Sequence, residues 1–575
     1  MKHSWLIGGE AGFGIMTTGL MFSKISSRRG YNIFDYVEYP SLIRGGHNAY
    51  EVAFSLEEPY DFKPTIDCLV CLNQKTFELH KDRLASDSLV IYDDHDFMLE
   101  GDYVKVAIPF YNILQKLKGD SIMKNTIALG ASLAIMGADL TEADDIFQDQ
   151  FGKKGQEVVD FNKKFAEEGF NFVKNNHSQK IKDWLIKKDS DGKLVMTGND
   201  AFSLASVIAD CRLYVAYPMT PSSSVLSTLA AWQEKTGMIV RHAEDEISVI
   251  NTALGGSFAG VRAAVGTSGG GFALMVESVS LSGMTETPIV IFISQRPGPA
   301  TGMPTWTEQG DLLFTINAGH GEFPKIVLAP GGLEEMIELT VKAYDLADVY
   351  QTPVVILSDM FLSEGHRTIS NKFINQFISN YKLNRGKTII KTQESKYLRY
   401  QITADGISPR LIPGEKGVFY QANSYEHLED GHTTEDSIAR KQQVDKRNNK
   451  TLTYLTNDFQ LPKVYGDLEK AEIVFVAWGS MKRPVLEAQK LLIEQNKQSA
   501  VIHFSYIYPL DEKKIKPLFS TNKRYVLVEN NSTGQFGKLL RQETGINITE
   551  KLFKYDGRQF TGKEILEKLI MKNYD

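Results

Sequence analysis

Four apolar runs near the middle of the chain each stop at a loop of glycine, proline, hydroxyl or charged side chains, and this repetition restricts the fold more than any other feature. LYVAY leads into PMTPSSS (Pro218–Ser224), and MIVRHA into EDE (Glu244–Glu246). RAAVG leads into TSGGG (Thr267–Gly271), and PIVIFIS into QRPGPATGMP (Gln295–Pro304). Short apolar runs alternating with helical patterns predict an α/β layer around a parallel sheet. Open parallel sheets bind ligands outside the carboxyl ends of their strands, so all four loops are expected along one edge.

Each loop admits a functional and a structural explanation. PMTPSSS and TSGGG both lead into predicted helices, and their glycine and hydroxyl residues could bring backbone N–H groups up to an anion. A tight turn with Ser or Thr as N-cap explains the same residues without a ligand. Glu246 opens a helix whose apolar positions Ile247, Ile250, Leu254 and Phe258 read as one stripe. Taken alone, an acid there is accounted for as a favourable partner of the helix dipole. Arg296 directly follows a buried apolar run, where a guanidinium at the sheet edge suits a carboxylate clamp, although a surface arginine would look the same.

The rest of the sequence sets limits. A chain of 575 residues exceeds a single hydrophobic core. Apolar strands such as Ser4–Ile7, Cys68–Leu72 and Ser88–Tyr92 define a first α/β segment over 1–186, and KKDSDGK (Lys187–Lys193) marks its boundary. A second α/β segment covers 194–373, a polar connecting region with the run RKQQVDKRNNK covers 374–462, and a last α/β unit covers 463–575. The net charge of −7 points away from nucleic acid and anionic membranes as partners. Gly8, Gly9, Gly12 and Gly14 interrupt the N-terminal stretch, which reads as a strand and loop and not as a signal peptide. Runs such as Pro288–Ile293 are too short to span a bilayer. The three cysteines, Cys68, Cys71 and Cys211, exclude a disulfide framework, fit a reducing, cytoplasmic compartment, and are too few for a four-thiolate iron–sulfur cluster. Cys68 and Cys71 lie three apart in a strand-like run and should face opposite sides of it, as core residues and not metal ligands.

At these residues the chain resembles a known family. YPMTPSSS, AEDEISVI, GTSGGGFALMVESVSLSGMTETPIVI and SQRPGPATGMPTWTEQGDL are similar to the pyrimidine-binding domain of 2-oxoacid:ferredoxin oxidoreductase alpha subunits. The similarity continues through NSYEHLEDGHTTED and RKQQVDKRNNK. It ends in AWGSMKRPVLEA and VENNSTGQFGKLLRQETG, which resemble the transketolase-C-terminal-like domain of those subunits. GGEAGFGI, YPSLIRGGHNAYEV and TIDCLVCLNQ resemble the family's gamma subunit, fused here at the N-terminus. The expected fold is three α/β domains: gamma-type, thiamine-diphosphate pyrimidine-binding, and transketolase-C-terminal-like.

The resemblance implies oxidative decarboxylation of a 2-oxoacid, 2-oxoglutarate first, to an acyl-coenzyme A with reduction of ferredoxin. Pyruvate and branched-chain oxoacids stand as alternatives. It assigns Glu246 to the aminopyrimidine ring of thiamine diphosphate, where a carboxylate favours the imino tautomer, and Thr220 and Arg296 to the substrate carboxylate. Tyr217, Pro218, Ser268 and Gly269 would line the cofactor site. The sequence departs from the family at TSGGG, where TSGPG is expected, and at Glu10 and Phe13 in the first loop. No Gly-Asp-Gly motif is present, Gly466-Asp467 with Asn496 precedes a strand-like run, and Asn530-Asn531 is no substitute. The Mg²⁺ and diphosphate site and the iron–sulfur cluster are therefore expected in a separate beta subunit. The same absence argues against a non-oxidative thiamine decarboxylase, and the joint presence of Glu246, Thr220 and Arg296 argues against a non-catalytic scaffold subunit. A nicotinamide dehydrogenase built on the Gly8–Gly14 loop, with Asp35 near the usual acidic position, is the rival from another class.

Overall fold

Trp5 and Ile7 enter one core and Leu6 enters another, the two-residue alternation of a strand covered on both faces. That strand, β1 (His3–Glu10), is the middle of an eight-stranded sheet. Its companions are β2 (Asn32–Glu38), β3 (His47–Ser55), β4 (Ile66–Cys71), β5 (Leu84–Tyr92), β6 (Val104–Ala107), β7 (Lys193–Met196) and a late strand, Arg367–Ser370. The order is β6-β5-β4-β1-β3-β2, then Arg367–Ser370, then β7. β1 runs parallel to β4 but antiparallel to β3, so the sheet is mixed. Our computed structural model describes residues 2–39, 46–189, 192–392, 396–520 and 522–571. Residues 40–45 of the YPSLIRGGHNAYEV motif and 190–191 of the KKDSDGK boundary lie outside them.

The strand Arg367–Ser370 belongs to this first compact unit, Met1–Met196 with Gly365–Phe377. Its larger core packs Phe22, stacked on Trp5 at 4.2 Å, with Phe54, Ile127 and Phe165. The helices Lys124–Ile135 and Gln156–Asn176 approach each other closely: a Cβ on Gly130 would lie 1.9 Å from the Ala166 carbonyl oxygen. Cys68 faces the larger core and Cys71 the smaller one, so the two thiols point to opposite sides of β4, and burial pushes both well above the usual thiol range. Asp35 is fully buried. It accepts hydrogen bonds from Ser23 Oγ (2.6 Å), Tyr50 Oη (2.7 Å) and the His366 backbone N–H (2.8 Å). Fully buried among these donors, it is closed to a ribose hydroxyl, and the antiparallel neighbour of β1 departs from a parallel dinucleotide-binding sheet.

The second unit comprises Thr197–Glu364 with Ile378–Asp575. Its seven-stranded sheet contains β8 (Cys211–Ala216), β9 (Ile239–His242), β10 (Arg262–Thr267), β11 (Ile289–Gln295), β12 (Ile326–Leu328) and β13 (Pro353–Asp359). The order is Tyr506–Tyr508, then β12-β13-β11-β10-β8-β9. All pairings are parallel except that of the edge strand Tyr506–Tyr508. Every residue of β11 and β13 is buried, as expected where helices cover both faces of a parallel sheet. A second, five-stranded sheet holds the C-terminal part, with Ile473–Trp478 at its centre.

Between the two sheets in sequence, the run RKQQVDKRNNK lies on the helix Ser437–Asn457. Its Lys446 and Lys450 reach the fully buried Glu286 at 2.5 and 2.6 Å, and Arg399 donates to the Glu286 carbonyl at 2.7 Å. Burial works against the Glu286 carboxylate, but the two lysines and Arg399 outweigh it and hold the group well below the usual range.

Candidate active site

Parallel pairing of β8 to β11 brings the four loops to one edge of the second unit's sheet. Glu246 begins the helix Glu246–Phe258, but the cap is made by its neighbours. Asp245 accepts from the Ser248 backbone N–H at 2.8 Å, and Glu244 accepts from Ser248 Oγ at 2.7 Å. Glu246 instead turns inward, 4 % exposed, on the face shared with Val249, Ile250, Ala253, Leu254 and Ser257. This corrects the expected stripe: Ile247 and Phe258 are exposed and only Ile250 and Leu254 are buried. With roughly 100° between successive residues, Glu246 itself lies near the centre of the buried face, which pushes Ile247 and Phe258 to its margin.

Among the described residues Oε1 of Glu246 has no hydrogen-bond partner. A buried acceptor left unmade costs about 1–3 kcal/mol, so the fold tolerates a deficit that a ligand could remove. Space for the carboxylate comes from Gly271, where a Cβ would lie 2.6 Å from Glu246 Oε1 and 2.2 Å from Thr267 Oγ1. Ser268 stands at the N-cap of the helix Gly269–Thr285, yet its side chain makes no capping bond, and Oγ is buried without a partner. The turn-and-cap explanation therefore fails for Ser268. Gly270, where the family pattern has proline, faces open space, with nothing nearer than the Ala300 carbonyl oxygen at 3.8 Å from an added Cβ.

Arg296 follows β11 directly, and its Nη1 donates to the Thr220 carbonyl oxygen at 2.7 Å. The two residues proposed for the substrate carboxylate thus meet, through the backbone of Thr220. Tyr217 and Pro218 are exposed beside them, and the Tyr217 ring lies 6.0 Å from that of His242.

Two further acids were quoted in TWTEQGDL without a role. The Asp311 carboxylate sits over Gly269, whose added Cβ would come within 2.4–2.5 Å of it. Burial pushes Asp311 up to about 6 against the pull of Arg296. Burial and the nearby Asp311 push Glu308 up to about 7. Their loop is firmly held. Gln295 Oε1 accepts from the Asp311 N–H (2.9 Å), and Gln309 Nε2 donates to the Trp478 carbonyl (3.0 Å). The Asn530 N–H donates to Gln309 Oε1 (3.1 Å), and Gln535 Nε2 donates to the Gly310 carbonyl (2.6 Å). Asn530-Asn531 is thus part of this brace. Gly466-Asp467 forms a turn ahead of the strand Ile473–Trp478, with Asp467 accepting from the Glu469 N–H at 2.9 Å.

A parallel-sheet edge whose loops carry a buried carboxylate and a hydroxyl unpaired among the described residues, and a guanidinium, has the features of a cofactor-binding site in an α/β protein. Comparison with known proteins narrows the class. Residues 205–446 match the family model described as pyruvate flavodoxin/ferredoxin oxidoreductase, thiamine-diphosphate-binding. Residues 4–172 match pyruvate ferredoxin/flavodoxin oxidoreductase, and 463–551 match the transketolase C-terminal domain. A 2-oxoacid:ferredoxin oxidoreductase subunit alpha from a Sulfolobus species is 31 % identical, over 99 % of this chain and 97 % of the relative. The 2-oxoglutarate synthase subunit KorA of Methanothermobacter thermautotrophicus is 28 % identical, over 65 % of this chain and 98 % of the relative. A 2-oxoglutarate:ferredoxin oxidoreductase from Magnetococcus marinus, solved with 2-oxoglutarate, coenzyme A and succinyl-CoA bound, is 29 % identical. It superposes with a TM-score of 0.91 over 99 % of both chains. The chain belongs to the family of 2-oxoacid:ferredoxin oxidoreductase alpha subunits, and its second unit contains the thiamine-diphosphate-binding domain. Among the described residues no helix is long and apolar enough to cross a membrane.

Proposed function

We propose that this chain is the cofactor-activating subunit of a cytoplasmic 2-oxoglutarate:ferredoxin oxidoreductase, working with a beta subunit that holds the diphosphate, Mg²⁺ and the iron–sulfur cluster. Residues 1–186 would be the gamma-type domain, 194–373 the pyrimidine-binding domain, 374–462 the connector and 463–575 the transketolase-C-terminal-like domain. The observation that carries the reading is the buried Glu246 carboxylate with an unpaired oxygen at the sheet edge. Thiamine diphosphate, when bound there, would supply a carbon nucleophile and an electron sink for decarboxylation. Glu246 would hold a proton at the pyrimidine ring nitrogen, a bond that its burial would strengthen. Ser268 and Gly269, with Tyr217 and Pro218, would line the cofactor site. Arg296 and Thr220 orient the oxoacid carboxylate, a proximity effect. Coenzyme A and ferredoxin complete the reaction as acyl and electron acceptors.

The choice of 2-oxoglutarate over pyruvate or branched-chain oxoacids rests on the relatives named for that substrate. A nicotinamide-dependent reading is disfavoured because Asp35 is fully buried and bonded to protein donors. The test is an anaerobic oxoacid panel on the chain co-purified with a partner that carries Gly-Asp-Gly and four cluster cysteines. Coenzyme-A-dependent ferredoxin reduction with 2-oxoglutarate is expected. Preference for another oxoacid would reassign the substrate, and turnover or stoichiometric iron in the lone subunit would defeat the two-subunit reading.

A further inference from the structure

Asn199 is fully buried near the start of the helix Gly198–Ile208, against the loop that carries Thr220. That helix start is fixed. Thr197 Oγ1 accepts from the Asp200 N–H at 3.0 Å, and Asp200 accepts in return from the Thr197 N–H at 3.0 Å. Gly198 lies so close to the segment after β13 that an added Cβ would fall 2.3 Å from the Leu362 carbonyl oxygen. From this held position the Asn199 amide reaches the loop. Its Nδ2 donates to the Pro221 carbonyl oxygen at 2.8 Å and to Ser224 Oγ at 2.7 Å. The carbonyl identifies this end of the amide as the nitrogen, because an oxygen there would have no proton to accept from it. Oδ1, at the other end, is buried without a hydrogen-bond partner among the described residues. A side chain kept for packing alone gains nothing from such an acceptor, so the contribution of the amide lies in the two bonds of Nδ2.

The bond to Pro221 bears on Arg296 through the backbone. Arg296 Nη1 donates to the carbonyl oxygen of Thr220, the residue before Pro221. The peptide between them is planar and the proline ring fixes φ, so ψ of Pro221 is the one soft torsion between the two carbonyls. Asn199 holds the second carbonyl and thereby the first. The turn is closed from its other side by Ser222, whose N–H and Oγ both donate to the Met219 carbonyl at 2.9 Å.

We propose that Asn199 is a positioning residue for the oxoacid: through Pro221 and Thr220 it sets the direction in which the Arg296 guanidinium meets the substrate carboxylate. The inference rests on the reading of Arg296 as the carboxylate clamp. A guanidinium grips a carboxylate best through two parallel N–H bonds, and this geometry tolerates little rotation. The Thr220 carbonyl takes one N–H of the fork and orients its plane. Without Asn199 the charge of Arg296 stays in place, but its plane is free to swing. Oxoacid binding then weakens while the cofactor keeps its site.

The experiment measures KM for the oxoacid, kcat and thiamine diphosphate affinity on the reconstituted holoenzyme. The variants are Asn199→Leu, which keeps the branched shape but has no donor, Ser224→Ala, Arg296→Lys, and the two combinations with Arg296→Lys. Asn199→Leu is expected to raise KM about tenfold, the scale of one lost hydrogen bond, with kcat and cofactor affinity within about twofold of wild type. Lysine has no planar fork to aim, so Arg296→Lys should raise KM by itself and absorb most of the Asn199→Leu effect when combined with it. An unchanged KM for Asn199→Leu, a full tenfold rise on top of Arg296→Lys, or an equal loss of cofactor affinity overturns the proposal. Should Asn199→Leu fail to fold, the exposed Ser224 decides through Ser224→Ala. A raised KM that vanishes in the Arg296→Lys background supports the proposal, and an unchanged KM defeats it. Arg296→Lys separates the layers. An unchanged KM there sinks the clamp reading itself, whereas a raised KM beside a wild-type KM for Asn199→Leu sinks only the positioning role.

Discussion

Two charge clusters in the second unit use the same residue types to opposite ends. At Glu286 a fully buried carboxylate meets Lys446 and Lys450 at 2.5 and 2.6 Å and is held below the usual range. At the sheet edge, Glu246 Oε1 has neither a hydrogen-bond nor an ion-pair partner among the described residues, and burial pushes Glu308 and Asp311 up. In the first cluster the electrostatic capacity is used up in holding the helix Ser437–Asn457 to the end of the helix Gly269–Thr285. In the second it is left available, which is what the proposed cofactor site requires. Burial alone therefore does not mark a functional acid. The absence of an ion-pair partner is what sets Glu246 apart from Glu286 among the described residues.

The contrast predicts that the first cluster fails by unfolding and the second by losing activity. The largest effect is expected for Glu286→Gln, which strands two buried lysines and should cost about 3–5 kcal/mol, with turnover per folded molecule retained. Urea unfolding at neutral pH measures this. A loss well under 1 kcal/mol would erase the distinction, as surface pairs give no more. Glu246→Gln should do the reverse, lowering kcat by at least ~10²-fold with an unchanged unfolding midpoint. Activity near wild type would move the assignment to Glu244 or Asp245. Gly271→Ala sharpens the same point through sterics, since its Cβ would fall 2.6 Å from Glu246 Oε1. A kcat loss of about tenfold with folding intact is expected, on the scale of a misplaced catalytic group.

The smallest effect concerns stability and pH. Asp311 has a folded value raised to about 6, so over mildly acidic to neutral pH the folded state binds more protons than the unfolded one. Stability conferred by the protonated form is fully present below the unfolded value and is lost as pH rises through the folded one. Asp311→Asn should accordingly stabilise the chain by roughly 1–2 kcal/mol at mildly alkaline pH and hardly at all in acid. Thermal melts in the two buffers test it, and equal shifts in both would contradict the burial account.

Much of this was legible in the sequence, for reasons that differ by element. β8 to β11 announce themselves because strands buried on both faces are nearly continuous apolar runs, and their terminal loops then fall on one edge. The position of Arg296 at the sheet edge was readable because it abuts such a run. The helix stripe was misplaced because a buried carboxylate at its centre does not look apolar. Glu308 and Asp311 went unassigned since their meaning lies in Gly269 and Arg296, neighbours in space only. The same holds for Lys446 and Lys450, which read as a polar run until Glu286 is placed against them. Arg367–Ser370 is four residues long, and its pairing with Phe34 and with β7 crosses a sequence distance that local patterns do not carry.

That late strand has a consequence for how the protein is made. The first unit's sheet needs Arg367–Ser370 between β2 and β7, yet β7 ends at Met196. A ribosome adding about 5–20 residues per second delivers the missing strand on the order of 10–30 s after β7. During that interval β2 and β7 present open edges, which are templates for unwanted pairing, and Asp35 lacks its His366 donor. The strands β8 to β13 emerge in the meantime, so the second unit can begin folding while the first is still incomplete. A gene cut after codon 196 would encode a sheet with a gap, and supplying residues 365–377 as a separate peptide should restore its solubility.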